Sequence, residues 1–287
     1  MSDSVPNCPI CDELMTFSGH ANYYGRSSHY NTPIYYCKLC DIFYRDIKVA
    51  CIIDHSYAAS YVQEKKEASL FYSRKKFFEF ILSLVKKYKS IESLKDSNRL
   101  SLIDFGSSYG HLIYLAKANG IEAVGIELVE DLLISCKVKD FSVYKDLKEV
   151  PKKVDVVTAI DSLYYVPNCK EVLADIRNAL KPNGILLVRV NNRNLYVRLR
   201  KKFIANKDLS MIGDAIISFP LKGIKKLFAL TGFQVIRVIP DSGKGKRLGI
   251  MKGLCYRFTY VPTILTGYRF IFTPGFFVVA KLKEKLS

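Results

Sequence analysis

No unit repeats in this chain of 287 residues and no segment is of low complexity, which excludes solenoids and arrays. No apolar run reaches the length of a membrane span; the nearest, residues 254–280, is interrupted by Arg257 and Arg269. The first residues, MSDSVPNCPICDEL, carry neither a basic n-region nor an apolar h-region, so no secretory signal is expected and the chain is read as cytoplasmic. Acid is scarce: 27 Asp and Glu stand against 44 Lys and Arg, a formal charge of +17. Such a field favours anionic partners, whether nucleic acid, a lipid surface or a phosphorylated substrate. Apolar residues, at 49%, are plentiful enough to exclude a disordered chain. The length suits one large domain or a core with a small accessory module. Eight cysteines in a reducing compartment are read as thiols or metal ligands rather than disulfides.

Three stretches differ in character. Residues 1–50 hold five cysteines, many Tyr and Asn, and few aliphatic runs, which predicts a small module held by something other than a hydrophobic core. Residues 51–98 read as a helical linker packing on the core, with Phe77, Phe78, Phe80, Ile81, Leu84, Val85 and Tyr88 at helical spacing. From residue 99 to 287 strand and helix patterns alternate. Strands are predicted over 100–104, 123–127, 154–160, 185–190, 233–239 and 276–282, with a weaker one over 141–144. This alternation argues for an α/β fold, a parallel sheet covered on both faces. Pro182, Asn183 and Gly184 predict a turn that stops a helix after Leu180, and Gly232 ends a helix over roughly 221–230.

Residues 102–128 read LIDFGSSYGHLIYLAKANGIEAVGIEL: a buried strand, a glycine turn, a helix, a second strand and a carboxylate. Gly106 permits a tight turn at positive φ, and Gly110 lets the backbone approach a ligand. Asp104 closes the first strand, and Glu127 closes the second, about where a carboxylate reaches ribose hydroxyls. The middle glycine that admits a pyrophosphate is missing, so the loop suits an adenosine that carries a sulfonium and an amino acid.

That loop resembles motif I of the class I S-adenosylmethionine-dependent methyltransferases, D-x-G-x-G-x-G, with Ser108 in place of the middle glycine. The likeness continues in order. VDVVTAIDSLYYVPN from Val154 is similar to the family's fourth strand and loop, LKPNGILLV from Leu180 to its "LkPgG" turn and fifth strand, and LTGF from Leu230 to its "aGF" turn. The resemblance covers about residues 99–240 and implies a Rossmann-like, seven-stranded methyltransferase sheet. It implies S-adenosylmethionine contacts by Asp104, Gly106, Ser108 and Gly110, ribose binding by Glu127 beside Leu128, adenine flanked by Asp146 and Leu147, and Asp161 lining the site.

Methyl transfer is an in-line displacement that needs positioning, and a base only where the nucleophile loses a proton. Many relatives have Glu-His where this chain has Tyr164 and Tyr165. These tyrosines are candidates for shaping the acceptor pocket or bonding the nucleophile, with packing as the alternative. His111 is a candidate base, against a capping or surface role. Asn191 and Asn192, ending the fifth strand, are candidates for the acceptor site or for a turn.

Cys8 with Cys11, and Cys37 with Cys40, form two C-x-x-C knuckles, and four thiolates suit a tetrahedral structural zinc. A zinc ribbon is therefore expected at the N-terminus. Cys51, Cys136, Cys169 and Cys255 are expected to be buried small apolar residues. A ribbon ahead of such a core resembles bacterial and archaeal enzymes acting on sugars or other small metabolites. Two basic, aromatic segments, residues 193–202 and an insertion at about 241–274, suit peripheral contact with the inner membrane surface, nucleic acid, or a solvated face over a lid. Three functions follow: methylation of a small molecule or glycan, such as a sugar phosphate or lipid-linked sugar; methylation of RNA; or a non-catalytic S-adenosylmethionine-binding module.

Overall fold

The structure is a computed structural model that describes residues 5–24, 29–46, 64–89, 99–203, 209–244 and 250–283. Parts of the N-terminal module, of the linker expected over 51–98 and of the insertion, and Cys51, lie outside these.

The chain begins with three antiparallel strands, β1 (Thr16–Tyr24), β2 (His29–Cys37) and β3 (Ile42–Arg45). The long helix α1 (Glu64–Tyr88) follows, then β4 (Ser101–Phe105), α2 (His111–Ala118), β5 (Glu122–Ile126), α3 (Glu130–Val138) and β6 (Val143–Tyr144). Next come β7 (Val154–Ile160), α4 (Cys169–Ala179), β8 (Leu180–Asn191), α5 (Arg193–Phe203) and the short β9 (Ile217–Ser218). Helix α6 (Leu221–Leu230), β10 (Phe233–Pro240), α7 (Ile250–Leu265) and β11 (Gly275–Leu282) close the chain.

Seven strands pair in the order β6-β5-β4-β7-β8-β11-β10. β11 runs antiparallel to both neighbours, and β4 through β8 pair in parallel. Strands buried on both faces read as almost unbroken apolar runs, as β7 does with every residue but its last buried. From β4 the chain first winds outward to β5 and β6 and then returns to β7 on the other side. The sheet therefore has its switch point between β4 and β7, where carboxyl-end loops diverge and leave a crevice.

Each face carries its own core. Phe77, Ile81 and Val85 of α1 pack with Leu112 and Leu115 of α2 on one face, and the ring of Phe77 lies 6.1 Å from that of Phe277 on β11. On the other face, Leu173 and Ile176 of α4 meet Ile224, Leu227 and Phe228 of α6. Ile10, Met15, Ile34, Ile42 and Phe43 of the N-terminal strands belong to that same cluster. The N-terminal module thus has an apolar core after all, borrowed from its neighbour, which local composition does not reveal.

The seam is a shared sheet. β9 pairs with β3, so Phe43 faces Ser218 and Tyr44 faces Ile217. Arg45, buried there, donates from Nε to the Ala215 carbonyl at 3.3 Å and from its other nitrogens to Thr32 Oγ1 and the Gly213 carbonyl. A buried guanidinium needs such partners for its five donors.

Two sequence expectations shift. The helix before β8 ends at Ala179, and Leu180 already pairs with Val154; residues 181–184 then bulge outward before Ile185 pairs with Val156. Cys136 and Cys169 are buried as expected, but Cys255 is exposed, because it lies on the outer side of α7.

Candidate active site

The loop after β4 is built on three left-handed residues: Gly106 (φ +78°), Ser108 (φ +52°) and Gly110 (φ +74°). A Cβ on Gly106 would stand 2.5 Å from Cβ of Ser162, so only glycine fits. Ser108 adopts the conformation that the family assigns to its middle glycine, and the loop keeps that shape at a local cost of about 1–2 kcal/mol. Hydrogen bonds fix the loop to β5. The N–H groups of Gly106 and Ser107 donate to the Ile126 carbonyl at 2.9 and 3.0 Å. The Ser108 N–H donates to Glu127 Oε2 at 2.7 Å, and Glu127 Oε1 accepts from the Val129 N–H at 3.0 Å.

Asp104 is buried, with Oδ1 accepting from Thr158 Oγ1 at 2.8 Å. Burial pushes its carboxyl up to about 7, the negative charge of Glu127 adds to the rise, and the Thr158 hydrogen bond opposes it. A buried carboxyl poised this way favours a cationic neighbour. Leu128 follows β5 with 72% of its surface exposed. Past β6, Asp146 caps a short turn by accepting the Lys148 N–H at 2.9 Å, and Leu147 is buried beneath. Asp161, at φ +58° after β7, pairs with Arg189. All nine residues therefore follow the carboxyl ends of β4, β5, β6 and β7.

On the other side of the switch point stand Tyr164 and Tyr165, their rings 4.6 Å apart. Tyr164 is buried; its hydroxyl accepts from Asn191 Nδ2 at 3.2 Å, and its carbonyl accepts the Ile216 N–H at 3.0 Å. Burial, then the charge of Asp161, pushes the Tyr164 phenol well above its usual range. Tyr165 is partly exposed and donates to Asp214 Oδ2 at 2.7 Å. Behind them Arg189 is clamped between two carboxylates: Nη1 meets Asp161, and Nε and Nη2 reach Asp241 Oδ2 at 3.1 and 2.6 Å.

His111 packs against α1 instead. Its ring stacks on Tyr109 at 5.6 Å and meets Phe71 edge-on at 5.2 Å. Burial lowers its pKa to about 4, so the imidazole is neutral at pH 7. Asn192 spends its side chain on the Ile271 and Thr273 carbonyls at 2.6 and 3.2 Å, a structural duty. Sequence reasoning missed Arg189, Asp241 and Asp214. Arg189 had a signal, a lone cation inside the apolar run ILLVRVN; Asp214 had none, because it reaches Tyr165 only through the tertiary fold.

Away from this edge, the sulfurs of Cys8, Cys11, Cys37 and Cys40 all lie within 4.8 Å of one another, and those of Cys11 and Cys37 are 3.6 Å apart. Tetrahedral zinc with Zn–S near 2.3 Å needs sulfurs about 3.8 Å apart. The knuckles match each other: the Ile10 N–H points at Cys8 Sγ and the Cys40 N–H at Cys37 Sγ, while Asp12 and Asp41, each just after a knuckle, take left-handed φ of +61° and +58°. Burial pushes the Cys40 thiol up to about 12, a penalty that a bound cation reverses.

A sequence profile described as a methyltransferase domain matches residues 72–238, more than half of the chain. The chain therefore belongs to the methyltransferase domain family, as an enzyme that uses S-adenosylmethionine as methyl donor. Among solved structures, an S-adenosylmethionine-dependent methyltransferase from Clostridium acetobutylicum superposes with a TM-score of 0.51 at 12% identity, covering 77% of this chain and 100% of the other. The plantazolicin methyltransferase BamL, solved with a triazolic desmethylPZN analog and SAH, gives a TM-score of 0.51 at 14% identity, covering 78% and 93%. At such identities the likeness concerns the fold. No curated protein matches the chain.

Proposed function

We propose that this enzyme methylates a small molecule or glycan intermediate at the crevice between β4 and β7, with a structural zinc bound by Cys8, Cys11, Cys37 and Cys40. The observation that carries the acceptor assignment is the pairing of Tyr165 with Asp214 at 2.7 Å. It stands at the rim of a mouth framed by residues 209–218. That frame is tied to the N-terminal module by the Leu209 N–H donating to the His20 carbonyl at 2.7 Å and by β9 on β3. So constricted a mouth favours a small acceptor over folded RNA.

S-adenosylmethionine supplies an electrophilic methyl group on a sulfonium. Asp104 holds the methionine part by charge, the turn of Gly106, Ser108 and Gly110 leaves room for its backbone, and Glu127 with Leu128 holds the ribose. Asp146 and Leu147 flank the adenine, and Asp161 lines the crevice while held in place by Arg189. Tyr164, kept protonated by its raised pKa, offers a hydrogen bond or an aromatic wall and does not act as a base at neutral pH. Tyr165 and Asp214 orient the acceptor, and the Asp214 carboxylate stands where it can take a proton from an acceptor hydroxyl. His111 serves as packing.

The test is a labelled-methyl screen of metabolite fractions with the native chain, Tyr165→Phe and Asp214→Asn. The two variants should keep S-adenosylmethionine affinity and lose roughly tenfold to a hundredfold in turnover. Unchanged turnover in both would overturn the acceptor assignment.

A further inference from the structure

Helix α7 lies at the same edge of the sheet as the site. β10 runs parallel to β8 and ends at the carboxyl edge, and β11 begins there, so the connection between them stands over that edge. Two bonds pin its ends: the Asp241 N–H donates to the Gly275 carbonyl at 3.0 Å, and the Asn192 N–H donates to the Pro274 carbonyl at 2.9 Å. The inner side of the helix is anchored too, with Thr263 buried and its Oγ1 accepting the Phe272 N–H at 2.9 Å.

Its outer side is apolar and bare. Met251, Leu254, Phe258, Val261 and Leu265 follow one another at alternating steps of three and four residues, which places them on one stripe of a helix. Met251 is 78% exposed, Phe258 75% and Leu265 81%. Scattered exposed apolar residues need no explanation, but a continuous stripe marks a contact surface.

The charge around the stripe identifies the partner. From Ser242 to Lys283 the sequence holds no Asp or Glu, while Lys244, Lys252, Arg257, Arg269 and Lys281 are all cationic. Helix α5, beside the same edge, has Arg193, Arg198 and Arg200 and no acid. We propose that α7 is an interfacial helix, which lies with this stripe in an anionic lipid surface and turns the acceptor mouth toward it. The helix is about 24 Å long, and among the described residues no helix is long and apolar enough to cross a membrane, so lying flat is the geometry available. A second copy fits less well, because stripe-to-stripe pairing brings Arg257 and Arg269 of both chains together. Single-stranded nucleic acid fits less well too, because it needs a series of aromatic platforms and the stripe offers one, Phe258. The inference rests on the methyltransferase reading and deepens it: the acceptor would be amphiphilic, with its polar part reaching Tyr165 and Asp214 from the lipid surface.

The test is flotation of the full chain with vesicles of phosphatidylcholine, alone or mixed with phosphatidylserine, for native protein and for Phe258→Asp with Leu265→Asp. S-adenosylmethionine affinity is measured on the same preparations, so that a failed lipid site is distinguished from a failed cofactor site or a misfolded variant. The native chain should float with the anionic vesicles and not with phosphatidylcholine alone. The double variant should bind tenfold less or weaker while its cofactor affinity stays unchanged. The milder Leu254→Gln should weaken binding severalfold in the same direction. Equal binding by native and double variant, or no binding to anionic vesicles, would overturn the proposal. So would a dimer that the double variant dissolves, or single-stranded RNA bound through Phe258 in place of vesicles.

Discussion

The backbone N–H of Ser108 donates to the carboxylate of Glu127 at 2.7 Å, while Ser108 itself stands at φ +52°. One bond thus joins the turn to the carboxylate proposed to hold the ribose, and it is made by a residue in a backbone region that favours glycine. Ser108→Gly should remove the conformational cost of about 1–2 kcal/mol and lose about 0.5–1 kcal/mol to the freer unfolded chain. The net result is a thermal midpoint equal to or slightly above the native one. Ser108→Val, branched at Cβ, should lower it, and a calorimetric comparison of the two variants decides.

Asp104 predicts a pH dependence. Its pKa in the fold, about 7, exceeds the unfolded 3.8 because burial disfavours the charge. Between these values the folded state binds more protons than the unfolded state, so this group's contribution to stability is greatest below about pH 4 and is lost as pH rises toward 7. Cofactor binding has the opposite sign, since a cationic ligand needs the carboxylate ionised. S-adenosylmethionine affinity should therefore rise from pH 5 to 8, and Asp104→Asn should flatten the profile. A native profile that is already flat would count against Asp104 as the cationic group's partner.

The arginine clamp predicts a stability cost. Arg189→Met leaves Asp161 and Asp241 facing each other in a buried site, with a loss of about 3–5 kcal/mol expected from breaking such a cluster. Adding Asp241→Asn should recover part of it. Denaturant titration of the single and double variants measures the coupling.

Most of the sheet was legible in the sequence because parallel strands advertise themselves as apolar runs: 154–160 is the observed β7, and the ends of β4, β5, β10 and β11 fall within one residue of expectation. The turn after β4 was legible from its glycines, and the cysteine cluster from its spacing. Contacts distant in sequence left no such trace. The β3–β9 pairing joins residues more than 170 apart through a two-residue strand, and no local pattern announces it. Asp214 reaches Tyr165 only because that pairing positions its loop. The exposed stripe on α7 was hidden for a different reason, because a helical apolar spacing is the same whether it faces a core or solvent.

The shared sheet makes the cysteine cluster matter to the acceptor side. Stripping metal with a strong chelator, or Cys37→Ser, should lower the thermal midpoint by more than about 10 °C, given the weight of a structural zinc in a small module. Because β9 and Ile216 link that module to Tyr164, the acceptor KM should rise while S-adenosylmethionine affinity, set on the far side of the switch point, changes little. Metal analysis of the purified chain should return one zinc per chain, and a value well below that would sink the assignment.

The most direct test is titration calorimetry of the purified chain with S-adenosylmethionine, repeated with Glu127→Ala and Gly106→Val. The native chain should bind one equivalent. Glu127→Ala should weaken binding roughly tenfold to a hundredfold, the value of hydrogen bonds to a charged group, and Gly106→Val should abolish it by driving a side chain into Ser162. Absence of binding by the native chain, or affinities that neither substitution changes, would contradict the account.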